Sequence, residues 1–269
     1  WKVASALLND LEASEYPVGP AHYELVIRAC DRQGRWQEAL ALLTRMQTAA
    51  LRPSAGALEA TMRVCSKAGQ QQMVRAVWGV LREEMARAES PLLVDVHTYN
   101  TLMRAVGSTT GPAGMAARLA GAEGVLEAFR EAEAYGIILD ETAYKHALRA
   151  CDLLGEWKHA LKLLDSLKMQ LINPDVLIYS NVMSACARNG RVQTVMRLLA
   201  DMRADGIEPN AFCFNAALGA CARAQRLPQA LRLLEDMESN GEVLPTTHSY
   251  HSLLRACAKS GEWKVAKSL

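Results

Sequence analysis

Aromatic side chains are scarce in this chain. They make up 6% of its 269 residues, and only three are phenylalanine. Runs of β-branched residues are also rare, which argues against a core built from sheets. No apolar run approaches the roughly 18–20 residues that a membrane helix needs, so a spanning segment is excluded. An excess of charge of either sign is missing too. Thirty basic residues face 29 acidic ones, for a net charge of +1, which rules out a polycation but leaves room for a local basic stripe. The opening WKVASALLNDLEA has no basic stretch followed by an apolar core. It is neither a secretory signal nor a targeting peptide.

Enzyme signatures are missing as well. There is no HExxH, no EF-hand loop and no dinucleotide fingerprint. The glycine-rich stretch 107–124 lacks the Gly-Lys-Ser/Thr and the preceding strand of a phosphate loop, and reads as a flexible loop between two helices. His248 and His251 lie three apart without a second ligand set. The expectation is no catalytic residue, no metal, no cofactor and no small-molecule substrate.

What is present is helix-forming composition and a repeat. CDRQGRWQEALALL from Cys30 returns as CDLLGEWKHALKLL from Cys151 and as CAKSGEWKVAKSL from Cys257. Cys151, Cys186 and Cys221 are spaced 35 residues apart, a period that marks a helical array. A frame ending one residue after the proline of NPD, EPN and LPT gives units 20–54, 55–95, 96–140, 141–175, 176–210 and 211–246, with partial units 1–19 and 247–269. The chain therefore reads as a fragment of a longer array. Each unit reads as two helices separated by a break, usually a glycine such as Gly34, Gly155 or Gly190. In unit 55–95 the second helix reads as lengthened through REEMARAE. Two helices of about 12 residues are not stable alone, and stacking buries the faces a single pair leaves open. The fold class is all-α, a right-handed α-solenoid of helix-turn-helix repeats.

Six of the seven cysteines occupy the eleventh place of a unit. One per layer, they suit neither four-ligand zinc sites nor disulfides, and read as small core residues of a reducing compartment. On a helical wheel the fourth, seventh, eighth and eleventh places form the buried stripe. The fifth, ninth and thirteenth places point away from it and should be exposed. The ninth place holds Arg28, Arg63, Arg104, Arg149 and Arg255, and the thirteenth holds Arg32, Lys67, Arg188, Arg223 and Lys259. Ten cations at two places and no acid suit a phosphodiester backbone. Asp31, Asp152, Glu156 and Glu262 lie near the same wall and weaken its field.

HTYNTLMRA from His97, NPDVLIYSNVMSACARNGR from Asn173 and DMRADGIEPNAFCFNAALGACARA from Asp201 resemble the pentatricopeptide repeat family. The related tetratricopeptide repeat has a shorter period and a glycine where this chain carries Ile27, Met62 and Met183. The resemblance implies single-stranded RNA as partner, with the fifth and last residues of each unit selecting one base. Asn100 with Asp140 then matches a uracil pair, Ser180 with Asn210 an adenine pair, and Asn215 with Thr246 keeps a pyrimidine-favouring asparagine. Lys145 with Asp175, Glu24 with Ser54, and Glu59 with Asp95 depart from the pattern, as does His251. The implied readout over 96–246 is uracil, any base, adenine, pyrimidine. The resemblance also implies an organellar setting (chloroplast or mitochondrion), with transcript processing, stabilisation or translation as the process. Other RNA-processing or ribosomal proteins are possible partners, and no membrane is involved. Two alternatives stay open: a protein-interaction scaffold or organellar ribosome subunit, and the repeat part of a larger RNA-processing enzyme.

Overall fold

The computed structural model describes residues 1–14, 16–87, 94–108, 114–240 and 243–262. Among them are fourteen α-helices and no strand, the all-α architecture of a helical-repeat solenoid. The chain divides into two compact units, Trp1–His146 and Ala147–Leu269.

The first unit contains α1 (Lys2–Ala13), α2 (Pro20–Arg32), α3 (Trp36–Thr48), α4 (Ala55–Lys67), α5 (Gln71–Met85), α6 (Val96–Gly107), α7 (Met115–Ala134) and the start of α8 (Glu141–Leu154). The second contains the rest of α8, then α9 (Trp157–Met169), α10 (Val176–Arg188), α11 (Val192–Ala204), α12 (Ala211–Arg223), α13 (Leu227–Asn240) and α14 (Thr247–Ser260). Within the first unit α2 packs on α4 and α4 on α6; within the second α10 packs on α12 and α12 on α14. No helix among the described residues is long and apolar enough to cross a membrane.

The packing follows from the periodic apolar places. Tyr23, Leu58, Tyr99, Tyr144, Tyr179 and Phe214, at the fourth place, are all buried. So are Cys30, Cys65, Cys151, Cys186, Cys221 and Cys257 at the eleventh, none of them in a disulfide. Burial pushes the Cys65, Cys186 and Cys221 thiols up to about 11, so these sulfurs behave as small apolar groups. In the second helix of each hairpin Ala39, Val74, Val125, Ala160, Val195 and Ala230 are buried, and their small size lets the two helices approach closely.

The hairpin turn needs a left-handed residue. Gly155 and Gly190 supply it at φ 72° and 63°, but the same turn after α12 is made by Gln225 at φ 56°. A residue with a Cβ pays roughly 1 kcal/mol there. Gln225→Gly is therefore expected to raise stability by about 0.5–1 kcal/mol, measured by chemical denaturation; a destabilised variant would contradict this account of the turn.

Two expectations change. Residues 115–124 are not a loop but the first half of α7, because MAARLAGAE is rich in strong helix formers that outweigh its glycine. Residues 109–113 of that stretch lie outside the described residues. Gly124 is a packing residue: a Cβ there would sit 2.5 Å from Val106 Cγ1. Helix α5 ends at Met85, and the rest of the expected extension falls partly on residues 88–93, outside the described residues, as do residues 263–269.

Candidate functional site

The last residue of each repeat unit is the N-cap of the next first helix. Ser54 accepts a bond from the Ala57 amide at 3.2 Å, Asp95 from Thr98 at 2.9 Å, and Asp140 from Ala143 at 2.9 Å. Asp175 accepts from Ile178 at 2.8 Å, Asn210 from Phe212 and Cys213 at 3.1 Å, and Thr246 from Ser249 at 3.4 Å. The amide of Thr98 also holds the Asp95 carboxyl below its usual range. Ser, Asp, Asn and Thr are the residues that satisfy the orphan amides of a helix start. Sequence reasoning assigned these positions to base selection and missed their capping role, although the residue types carried the signal.

The caps also meet the fifth place. Asn100 donates through Nδ2 to both carboxylate oxygens of Asp140 at 3.0 Å. That fixes the amide orientation and leaves the buried Asn100 Oδ1 with no partner among the described residues. Asn215 donates to Thr246 at 3.2 Å and accepts from the Ser249 hydroxyl at 2.6 Å. Ser54 donates to Glu24 at 2.5 Å. Glu24, Asn100 and Asn215 are consequently half-buried where the wheel led us to expect exposure. Ser180 goes further: it is buried, and its hydroxyl donates to the Leu177 carbonyl at 2.9 Å. Lys145 pairs with Glu141 at 2.7 Å. His248 and His251 are exposed, their rings 6.4 Å apart.

The ten cations of the ninth and thirteenth places are not equivalent. In the first unit Arg28 pairs with Glu24 at 2.6 Å, Arg63 with Asp31 at 2.6 Å and Glu59 at 3.0 Å, and Lys67 with Asp31 at 3.0 Å. Asp31 is buried between its two partners. Arg32 and Arg104 are exposed. In the second unit Arg149, Arg255 and Lys259 are exposed and make no ion pair among the described residues, while Arg188 pairs with Asp152 at 2.9 Å. Arg223 donates to the backbone carbonyls of Ala187 and Gly219 at 3.2 and 3.3 Å. Partial burial and the neighbouring charges of Arg255 and Arg188 hold its pKa below the usual arginine value. The guanidinium of Arg223 on α12 thus feels the charges of Arg188 on α10 and Arg255 on α14, and among the described residues only Arg188 of the three pairs with a carboxylate.

Family profiles cover most of the chain. That of the PPR repeat family matches residues 174–223, and that of a pentatricopeptide repeat-containing protein matches 2–115. A pentatricopeptide repeat domain profile matches 127–189, and the PPR repeat matches 212–242 and 248–269. The chain belongs to the pentatricopeptide repeat family. Among solved pentatricopeptide repeat structures it is similar to maize PPR10 in complex with an 18-nucleotide psaJ RNA element, at 18% identity and a TM-score of 0.54, covering 98% of this chain and 41% of that one. It is also similar to Arabidopsis thaliana nuclear protein-only RNase P 2, at 15% identity and a TM-score of 0.62, covering 75% of this chain and 41% of that one. At these identities the likeness establishes the shared fold. This chain spans 41% of the length of either structure. A comparison with curated protein sequences returns no match.

Proposed function

We propose that this pentatricopeptide repeat chain binds single-stranded RNA and acts by binding alone in organellar transcript processing, stabilisation or translation. The observation that carries the reading is the row of exposed guanidiniums Arg188, Arg223 and Arg255 on consecutive first helices, with a single carboxylate pair among them. A row of cations short of carboxylates is stabilised by a polyanion, and phosphates of a single strand supply that charge at successive positions. Exposed Arg149 and Lys259 belong to the same set, and Arg32 and Arg104 are the first unit's free contribution. That maize PPR10 was solved with an RNA element agrees with this reading.

Base selection rests on Asn100 with Asp140, and on Asn215 with Thr246. The unsatisfied Asn100 carbonyl is an acceptor without a donor. Turning the amide out of its two Asp140 bonds presents this oxygen to the N3–H of uracil, whereas the N3 of cytosine has no proton to give. Fluorescence anisotropy with oligonucleotides varied at one position tests this. Asn100→Ala is expected to erase the preference for uracil there while changing overall affinity less than about threefold, since phosphates dominate affinity. An unchanged base preference in the variant would remove the assignment.

A second reading has support in the first unit. There Glu24, Glu59 and Asp31 neutralise Arg28, Arg63 and Lys67, leaving a surface better suited to a protein partner than to phosphate. A partner of the full-length protein that stays bound after RNase treatment would establish that scaffold role.

A further inference from the structure

We propose that Cys151, Glu156 and His159 form a three-ligand site for zinc at the turn between α8 and α9. Their candidate ligand atoms, one thiol sulfur, one carboxylate oxygen and one imidazole nitrogen, all lie within 4.8 Å of one another. The turn itself brings them together. Gly155 adopts φ 72°, and the Glu156 amide donates to the Cys151 carbonyl at 2.9 Å, so the first turn of α9 folds back over the last turn of α8. His159 stands one turn into α9, with Nδ1 3.2 Å from the Glu156 carboxylate.

The donor set selects the ion. A thiolate beside an imidazole and a carboxylate suits zinc, whereas magnesium and calcium take oxygen ligands. Tetrahedral zinc, with bonds of about 2.0–2.3 Å, places its ligands roughly 3.3–3.8 Å apart. The imidazole–carboxylate pair, at 3.2 Å, lies within about 0.1 Å of that spacing, and the sulfur closes the rest by a shift of at most about 1 Å. The thiol gives up its proton on binding, so affinity rises with pH. Three protein ligands leave a fourth position for water.

The other hairpins lack the set. The places five and eight residues after the eleventh-place cysteine hold Arg35 and Glu38 after Cys30, Gln70 and Met73 after Cys65, Arg191 and Thr194 after Cys186, and Arg226 and Gln229 after Cys221. Each keeps the buried cysteine of the core, and none pairs it with a second and third ligand. The spacing of one cysteine per layer, from which no four-ligand zinc site and no metal were expected, does not reach a three-ligand site completed within a single hairpin by His and Glu.

Cobalt(II) titration of the chelator-treated protein tests the proposal. A thiolate-to-cobalt charge-transfer band should appear at one equivalent with the visible bands of tetrahedral cobalt, and zinc should displace it. Cys151→Ser should abolish the band, and Cys186→Ser, the matching core cysteine of the next hairpin, should keep it. Glu156→Gln and His159→Gln should each weaken binding about tenfold or more. Their side chains are partly exposed, so both variants test the site if Cys151→Ser fails to fold. Absence of the band, its survival in Cys151→Ser, or unchanged affinity in both surface variants would overturn the site. None of these outcomes depends on RNA binding.

Discussion

Replacing Arg149, Arg223 and Arg255, the second unit's arginines of the ladder without a carboxylate partner among the described residues, together by alanine is expected to lower affinity for single-stranded RNA about a hundredfold at low salt. Non-specific nucleic-acid binding through several phosphate contacts amounts to roughly 1 kcal/mol per contact, so three contacts come to about 3 kcal/mol. The slope of log affinity against log salt should fall by about two, three lost contacts at roughly 0.7 each. All three side chains are exposed and their removal breaks no ion pair among the described residues, so the melting temperature should stay nearly unchanged. Arg223 gives up two backbone bonds, and its partial burial and the nearby charge of Arg255, both of which disfavour its charged form, are removed with it. The matched change in the first unit, Arg28, Arg63 and Lys67 to alanine, should behave the opposite way. Those cations already hold Glu24, Glu59 and Asp31, so RNA affinity should move less than about threefold. Stability should drop instead, because Asp31 stays buried without a counter-charge. Equal RNA losses from the two triple variants would show that ion pairing does not decide which cations contact phosphate.

That contrast marks where sequence reading reached its limit. The ladder of ten cations is legible because its period of about 35 residues survives in the bare sequence. Asp31 and Asp152 are legible as acids that weaken the ladder, but which cation each acid neutralises is not, because each quenching acid comes from another place in the repeat or from the preceding hairpin. Asp31 lies one position before Arg32 in sequence, yet its bonds go to Arg63 and Lys67 on the next first helix. Asp152 reaches Arg188 in the same way.

The core was legible for a simple reason: apolar places recur at fixed offsets on a helix, and the period alone assigns their face. The fifth place escaped the same wheel. Its exposure is set by the cap that follows the unit, as Asn100 beside Asp140 shows, and a wheel drawn for one helix contains no cap from the next. The loop expected over 107–124 gives way to helix at 115–124, because its glycines were weighed as breakers. Gly124 serves as the small residue that lets α7 lie against Val106 of α6.

Phe129→Ala should cost the first unit about 3–5 kcal/mol, the largest stability loss of any change considered. Phe129 is fully buried in the middle of α7. Its ring meets that of Tyr144 edge-on, with centroids 5.2 Å apart and planes at 71°, a geometry worth about 1 kcal/mol beyond area burial. Truncation removes that contact and leaves a cavity, and the cost grows with the cavity volume that cannot collapse. Collapse is hindered here because α7 already lies against α6 at the Gly124–Val106 approach. Water is a poor remedy as well. The Tyr144 hydroxyl is a buried polar group without a partner among the described residues, and a single such group falls short of the two to four partners a buried water needs. The cavity therefore stays dry, and the loss should sit at the upper end of the range. Phe129→Leu keeps most of the volume and should cost about 1–2 kcal/mol. Urea denaturation of both variants, followed by circular dichroism, separates the contributions. A loss below about 1 kcal/mol for the alanine variant would mean that neighbouring hairpins repack freely, and that the array is held by the sum of its small contacts rather than by this aromatic pair.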